Sequence, residues 1–247
     1  MKSATAGLTL FAAVVVSPAP AMDMPPDIFV RNEYVDLAMF MEGLRGIQPL
    51  SWEVMQDSRE WAKTVEAEAR AKSATPPAAV LRFGRRYVIS AITGNKRYYS
   101  VLLHSSTYNA EDINIVQYTT TFLWDSKARR RVSFAGFFDE TENAGPTMTR
   151  LFEESIAGLA AKVGKDQATT MTAGLRPTLN RIGQVSLELS TVDGKSSGLT
   201  FYYAAPTPGR PGSTEFEVFI PWTKFANHLS PHGRQIFGGQ WRKRDSW

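Results

Sequence analysis

The chain has 247 residues, 43% of them hydrophobic and 11% aromatic, which is enough apolar material for one or two cored domains. It contains no cysteine, so structural disulfides, iron–sulfur clusters and thiolate zinc sites are excluded together. A formal net charge of +4 is too small an excess to argue for nucleic acid as a partner.

Residues 1–21 read as a signal peptide. Lys2 precedes an apolar run over 6–16, and Ala19-Pro20-Ala21 places small residues where a signal peptidase reads them. The run is shorter than the ~20 residues a bilayer span needs. The competing reading is an uncleaved N-terminal anchor. Export predicts a periplasmic or secreted protein.

Residues 22–78 form an N-terminal segment. It is irregular and rich in Met and Pro up to residue 50, with strand character at Ile28–Val30. Ser51 is placed to cap a helix over Trp52–Lys72, whose Trp52, Met55, Trp61, Val65 and Ala69 are spaced as one amphipathic face. The two prolines of "SATPPAAV" end it.

A larger domain is predicted over 79–229. "AVLRFGRRYVISAI" and "RYYSVLLHSSTY" are β-rich runs joined at Gly94-Asn95, and "NIVQYTTTFLWD" is a third strand. Asp125-Ser126-Lys127 turns into "RRVSFAGFFDE", giving an antiparallel meander. A second helix begins near Thr147, carries Met148, Leu151, Phe152, Ile156, Leu159 and Val163, and stops at Gly164. A polar connection over 165–182 leads to a hairpin turning at Asp193-Gly194. The last strand, "EFEVFIP", meets a helix over Trp222–Leu229 without a loop. Pro221 has its φ preset for a first helical turn and lacks the N–H that would go unpaired there. Trp222 is expected to be buried between that helix and the sheet.

The fold class is therefore α+β: a curved antiparallel meander with amphipathic helices packed on one face. Residues 230–247 form a basic tail. Its Trp241, Arg242, Lys243, Arg244 and Trp247 suit peripheral contact with an anionic membrane surface or a glycan strand, or a terminus that does not dock.

No catalytic motif emerges. His228 and His232 have the i, i+4 spacing of helical metal ligands, but Pro231 interrupts the helix, so no metal site or cofactor is assigned. His104 lies in a strand with no Gly-x-Ser-x-Gly nucleophile turn nearby. The acid groups Asp139, Glu140, Glu142 and Glu153, Glu154 read as solvated charge, with glycan hydrolysis by loop carboxylates as the alternative. The basic runs Lys127–Arg131 and Arg242–Arg244 read as solvated turns or tails.

The strand ending at Asp125, the turn Phe134-Ala135-Gly136-Phe137-Phe138, the helix, and Glu217-Val218-Phe219-Ile220-Pro221-Trp222 occur in an order that resembles one family. These are the extracytoplasmic domains of RsiV-type anti-sigma factors, which sense lysozyme, and the N-terminal part of PdaC-type peptidoglycan deacetylases. The resemblance implies a noncatalytic, exported binding domain whose partner is an envelope protein or peptidoglycan. It puts the ligand surface at two loops, with Asn109 and Asp112 in one and Tyr202, Tyr203, Arg210 and Glu215 in the other. A cell-envelope hydrolase and a structural envelope protein are the competing roles.

Overall fold

The alternation Val35, Leu37, Met39, Met41 against Asp36, Ala38, Phe40, Glu42 makes a strand with one dry face, and around it the first sheet is built. The computed structural model describes residues 25–72, 80–109, 114–139, 146–173, 175, 185–187, 194–205 and 214–240. The expected signal segment and residues 241–247 of the basic tail lie outside these, while 230–240 are described. Among the described residues no helix is long and apolar enough to cross a membrane.

Six strands form the first sheet: β1 (Ile28–Arg31), β2 (Val35–Glu42), β3 (Leu81–Thr93), β4 (Tyr98–Asn109), β5 (Asn114–Asp125) and β6 (Arg130–Val132), in that spatial order. Strands β3 to β6 are the predicted meander. The N-terminal segment departs from expectation, because β1 and β2 form a hairpin and β2 pairs parallel with β3. Helix α1 (Leu50–Lys72) is the crossover that parallel pairing requires. It starts one residue before Ser51, so that serine sits inside the helix and is not its cap. The described part of that segment, 25–72, thus adds two strands to the main sheet.

A second, three-stranded sheet contains β7 (Val185–Leu187), β8 (Gly198–Ala205) and β9 (Thr214–Pro221), all antiparallel. Helix α2 (Pro146–Val163) lies against β9, and α3 (Lys165–Thr172) extends it where a polar connection was expected. Pro146 takes the first position of α2, which places Thr147 within the first turn instead of at the cap. Gly164 ends the helix with φ +89°, as its position predicts.

Two cores result. Met39, Met41, Leu44, Leu50, Val54, Tyr87, Tyr99, Val101 and Trp124 fill the space beneath α1. The larger core joins the opposite face of the first sheet, through Tyr98 and Leu123, to α2, the second sheet and the C-terminal segment.

At the C-terminus, Pro221 does hand its strand over directly, but to two consecutive 3-10 turns, Trp222–Lys224 and Ala226–His228. Because the 3-10 turn has a tighter pitch, Phe225 and Leu229 become the deeply buried residues. Trp222 is half-buried and packs on the core's rim. A last short helix, α4 (Gly233–Ile236), follows Pro231 and docks on a 3-10 turn at Phe134–Phe137. A Cβ on Gly233 would stand 2.1 Å from the Phe137 carbonyl oxygen, so only glycine permits this approach.

Gly233→Ala is expected to destabilise the fold by about 1–3 kcal/mol or more, because the obstacle is backbone that cannot rotate away. Gly136→Ala, where a Cβ meets nothing within 4 Å, is expected to stay within about 0.5 kcal/mol. Urea melts of both variants check the pair.

Candidate functional site

The turn between β3 and β4 runs through Gly94, Asn95 and Lys96, all with positive φ, and delivers Arg97 beside Asp125 at the end of β5. Asp125 is buried, its side chain only 4% exposed. Arg97 donates to it through Nε (3.1 and 3.2 Å) and Nη2 (2.8 Å). The same carboxylate accepts the backbone N–H of Lys127 at 2.9 Å and of Ala128 at 3.1 Å, which closes the β5–β6 turn. Burial alone would push the Asp125 carboxyl up; Arg97 and the two turn amides more than offset it, and the group lies below its ordinary range. Asp125 is therefore ionised and fully occupied.

Around this pair is an open cleft of about 400 Å³. Its polar lining comes from Arg97, Arg130, Ser133 and His232, and its apolar wall from Tyr98, Val132 and Phe137. The Arg97 guanidinium stacks on the Tyr98 ring at 4.9 Å. Tyr98 in turn meets Phe137 edge-on at 5.2 Å, and its hydroxyl shares a 2.7 Å hydrogen bond with His232 Nε2. Burial, then the neighbouring Arg97 charge, hold the His232 imidazole below its ordinary value, so it is neutral at pH 7. Burial also raises the Tyr98 phenol, which stays protonated.

The charges around the cleft are paired unevenly. Arg97 and Asp125 answer each other. Arg131 stacks on Phe122 and pairs with Glu53 at 2.6 Å and with Asp57, both on α1. Arg130 is exposed and has no acidic partner among the described residues. Arg130 is therefore the one lining cation without an acidic partner among the described residues.

Of the residues expected to hold a ligand, the two whose side chains are described, Tyr202 and Tyr203, do not line this cleft. Tyr202 and Tyr203 are each 1% exposed, in a β8 strand buried on both faces. The Tyr203 hydroxyl bonds Ser155 of α2, and burial pushes its phenol up to about 12. These two are packing residues, which their polar tips concealed. Asn109 ends β4 and Glu215 lies in β9, while Asp112 and Arg210 lie outside the described residues. Of the tail residues, Trp241, Arg242, Lys243, Arg244 and Trp247 also lie outside them.

His228 is exposed, and His232 is engaged with Tyr98 instead of with a metal. Among the described residues no group of three or more His, Asp or Glu side chains converges as a metal site. Of the acids weighed for hydrolysis, Glu154 pairs with Lys224 at 3.1 Å and Asp139 faces Arg234 at 4.0 Å. Glu140 and Glu142 lie outside the described residues. The sequence marks Asp125 as a strand end, and it pairs His232 with His228 by spacing without a metal site being assigned there. It had no signal for Arg97 or Ser133, since the cleft is assembled from four separated segments.

No family model and no curated protein matches the chain. Among solved structures, it is similar to a DUF3298 family protein from Pseudomonas aeruginosa PAO1. That alignment has 14% identity and a TM-score of 0.49, and covers 85% of this chain and 91% of the other. A DUF3298 family member from Bacteroides fragilis aligns at 16% identity and a TM-score of 0.43, covering 78% and 74% respectively.

Asp125→Asn is expected to cost about 1–3 kcal/mol at pH 7, the range for hydrogen bonds to a charged group. The lower end applies because Arg97 keeps 37% exposure and water screens its charge. The folded-state carboxyl lies below its unfolded value, so its contribution is complete above the unfolded value and disappears as pH falls through the folded one. Denaturant melts should therefore show the gap between wild type and variant narrowing below about pH 4.

Proposed function

We propose that the protein is a noncatalytic binding domain of the bacterial cell envelope, exported across the cytoplasmic membrane, whose ligand is a cell-wall group held in the Arg97–His232 cleft. One observation carries the reading. Asp125 accepts from four donor groups at once, and the Tyr98 hydroxyl and His232 Nε2 are bonded to each other. A general acid or base needs a lone pair or proton free for substrate. A binding site needs fixed walls and a few donors, which is what remains here.

The size of the cleft favours a small wall group over the face of a protein. Standard protein interfaces bury about 800 Å² per partner, whereas a volume of about 400 Å³ suits a sugar or a short peptide end. The apolar span near the N-terminus, together with Ala19-Pro20-Ala21, supports export.

The test is incubation of the purified mature protein with insoluble peptidoglycan, followed by sedimentation and by analysis of the supernatant. The protein should sediment with the wall material and release no soluble fragments. Fragments whose release stops in Glu154→Gln or Asp139→Asn would instead establish a hydrolase. A protein that stays in the supernatant would contradict the wall-ligand reading.

A further inference from the structure

The donors left over in the cleft have a definite chemical preference. Arg97 uses Nε and Nη2 on Asp125, which leaves Nη1 and its two N–H groups without an acceptor among the described residues. Arg130, at the start of β6, contributes a cation with no acidic partner among the described residues. Ser133, where β6 gives way to the Phe134–Phe137 turn, makes no capping hydrogen bond with its side chain. Three donors from two adjacent segments thus line one cleft, and Asp125, the only carboxylate among the described lining residues, is already occupied. Beside them the wall is apolar, formed by Val132, Phe137 and the Tyr98 ring.

We propose that this cleft is a carboxylate site, in which Arg130 and the outer edge of Arg97 hold the two oxygens of a ligand carboxylate and Ser133 donates to one of them. The inference rests on the reading of the cleft as the binding site, and adds the ligand's chemical class. Planar guanidinium groups present paired N–H donors that match the two oxygens of a carboxylate bidentately. A phosphate monoester carries about −1.5 to −2 at neutral pH, more than the single unpaired guanidinium of Arg130 answers. His232 is neutral and Tyr98 protonated at pH 7, so neither repels the anion. The apolar wall accommodates a methyl-sized substituent next to the carboxylate. A peptide C-terminus and an acidic sugar both present this chemistry.

Calorimetric titration with N-acetyl-alanyl-alanine, its C-terminal amide and glucuronic acid tests the assignment and separates the two sources. The free acid of at least one should bind, and the amide should bind at least about tenfold more weakly, the equivalent of one lost hydrogen bond to a charged group. Arg130→Gln should weaken the acid by about tenfold or more, and Arg130→Lys should recover part of it. Arg130 is exposed, so the fold should survive both changes, as melts would show. Lys165→Gln, an exposed cation on α3, should change nothing. Equal binding of acid and amide would overturn the carboxylate assignment while leaving the cleft as a binding site. Binding of neither acid would also overturn it. Carboxylate binding that persists in a protein unable to sediment with peptidoglycan would refute the wall-ligand reading and leave this inference standing.

Discussion

The ion pair between Arg97 and Asp125 ties together the two turns on which the cleft depends. Asp125 is the last residue of β5 and Arg97 immediately precedes β4, so the pair fixes the ends of neighbouring strands. Backbone contacts reinforce it: Ser126 donates its N–H to the Arg97 carbonyl at 2.8 Å and its hydroxyl to the Lys96 carbonyl at 3.1 Å. A buried carboxylate left without these donors would be strongly unfavourable, which leaves the β5–β6 turn little freedom. The direction in which Arg130 and Ser133 leave that turn follows from it.

The other wall is an aromatic one. Phe137 meets Tyr98, Phe134 and Phe237 edge-on, and Phe225 packs against Phe237 at 5.1 Å. Such pairs add about 0.5–1.5 kcal/mol each beyond simple burial, and they fix ring orientation. The C-terminal segment is held to this cluster by main-chain bonds from Ser230 to Phe137 and from Asp139 to His228. Gly233 permits the closest approach. His232 therefore reaches Tyr98 from a segment far away in sequence, and its neutrality follows from being placed against apolar rings and beside Arg97. Packing on one side and charge on the other define a site that neither alone would make.

Much of this architecture was legible in the chain. The β-branched and aromatic runs from Leu81 to Val132, the glycine-marked turns and the apolar faces of α1 and α2 all declare themselves by period. The hairpin of β1 and β2 did not. Its alternation is present, but Met and Ala are weak strand formers, and its parallel partner lies beyond a whole helix, where no local signal reaches. The helix expected at Trp222–Leu229 became 3-10 turns because apolar spacing over eight residues does not distinguish the two pitches. The resemblance put Tyr202 and Tyr203 on a ligand loop, yet they lie in a strand buried on both faces, which admits tyrosine wherever a partner such as Ser155 is within reach. The cleft was the least legible part. Arg97, Asp125, Arg130 and His232 share no spacing, and Lys127–Arg131 looks like any solvated basic turn until the fold places Arg131 against α1 and Arg130 over open space.

The account's central claim is that the Arg97–Asp125 pair sets the electrostatic state of the cleft. The most direct measurement is the titration of the His232 imidazole by nuclear magnetic resonance, in the wild type and in Arg97→Gln. In the wild type the midpoint should lie below the ordinary histidine value. Removing the Arg97 charge takes away a cause of that depression and leaves Asp125 as an unopposed negative neighbour, so the midpoint should move upward. A wild-type midpoint at or above the ordinary value, unmoved by the substitution, would show that the pair does not govern the cleft.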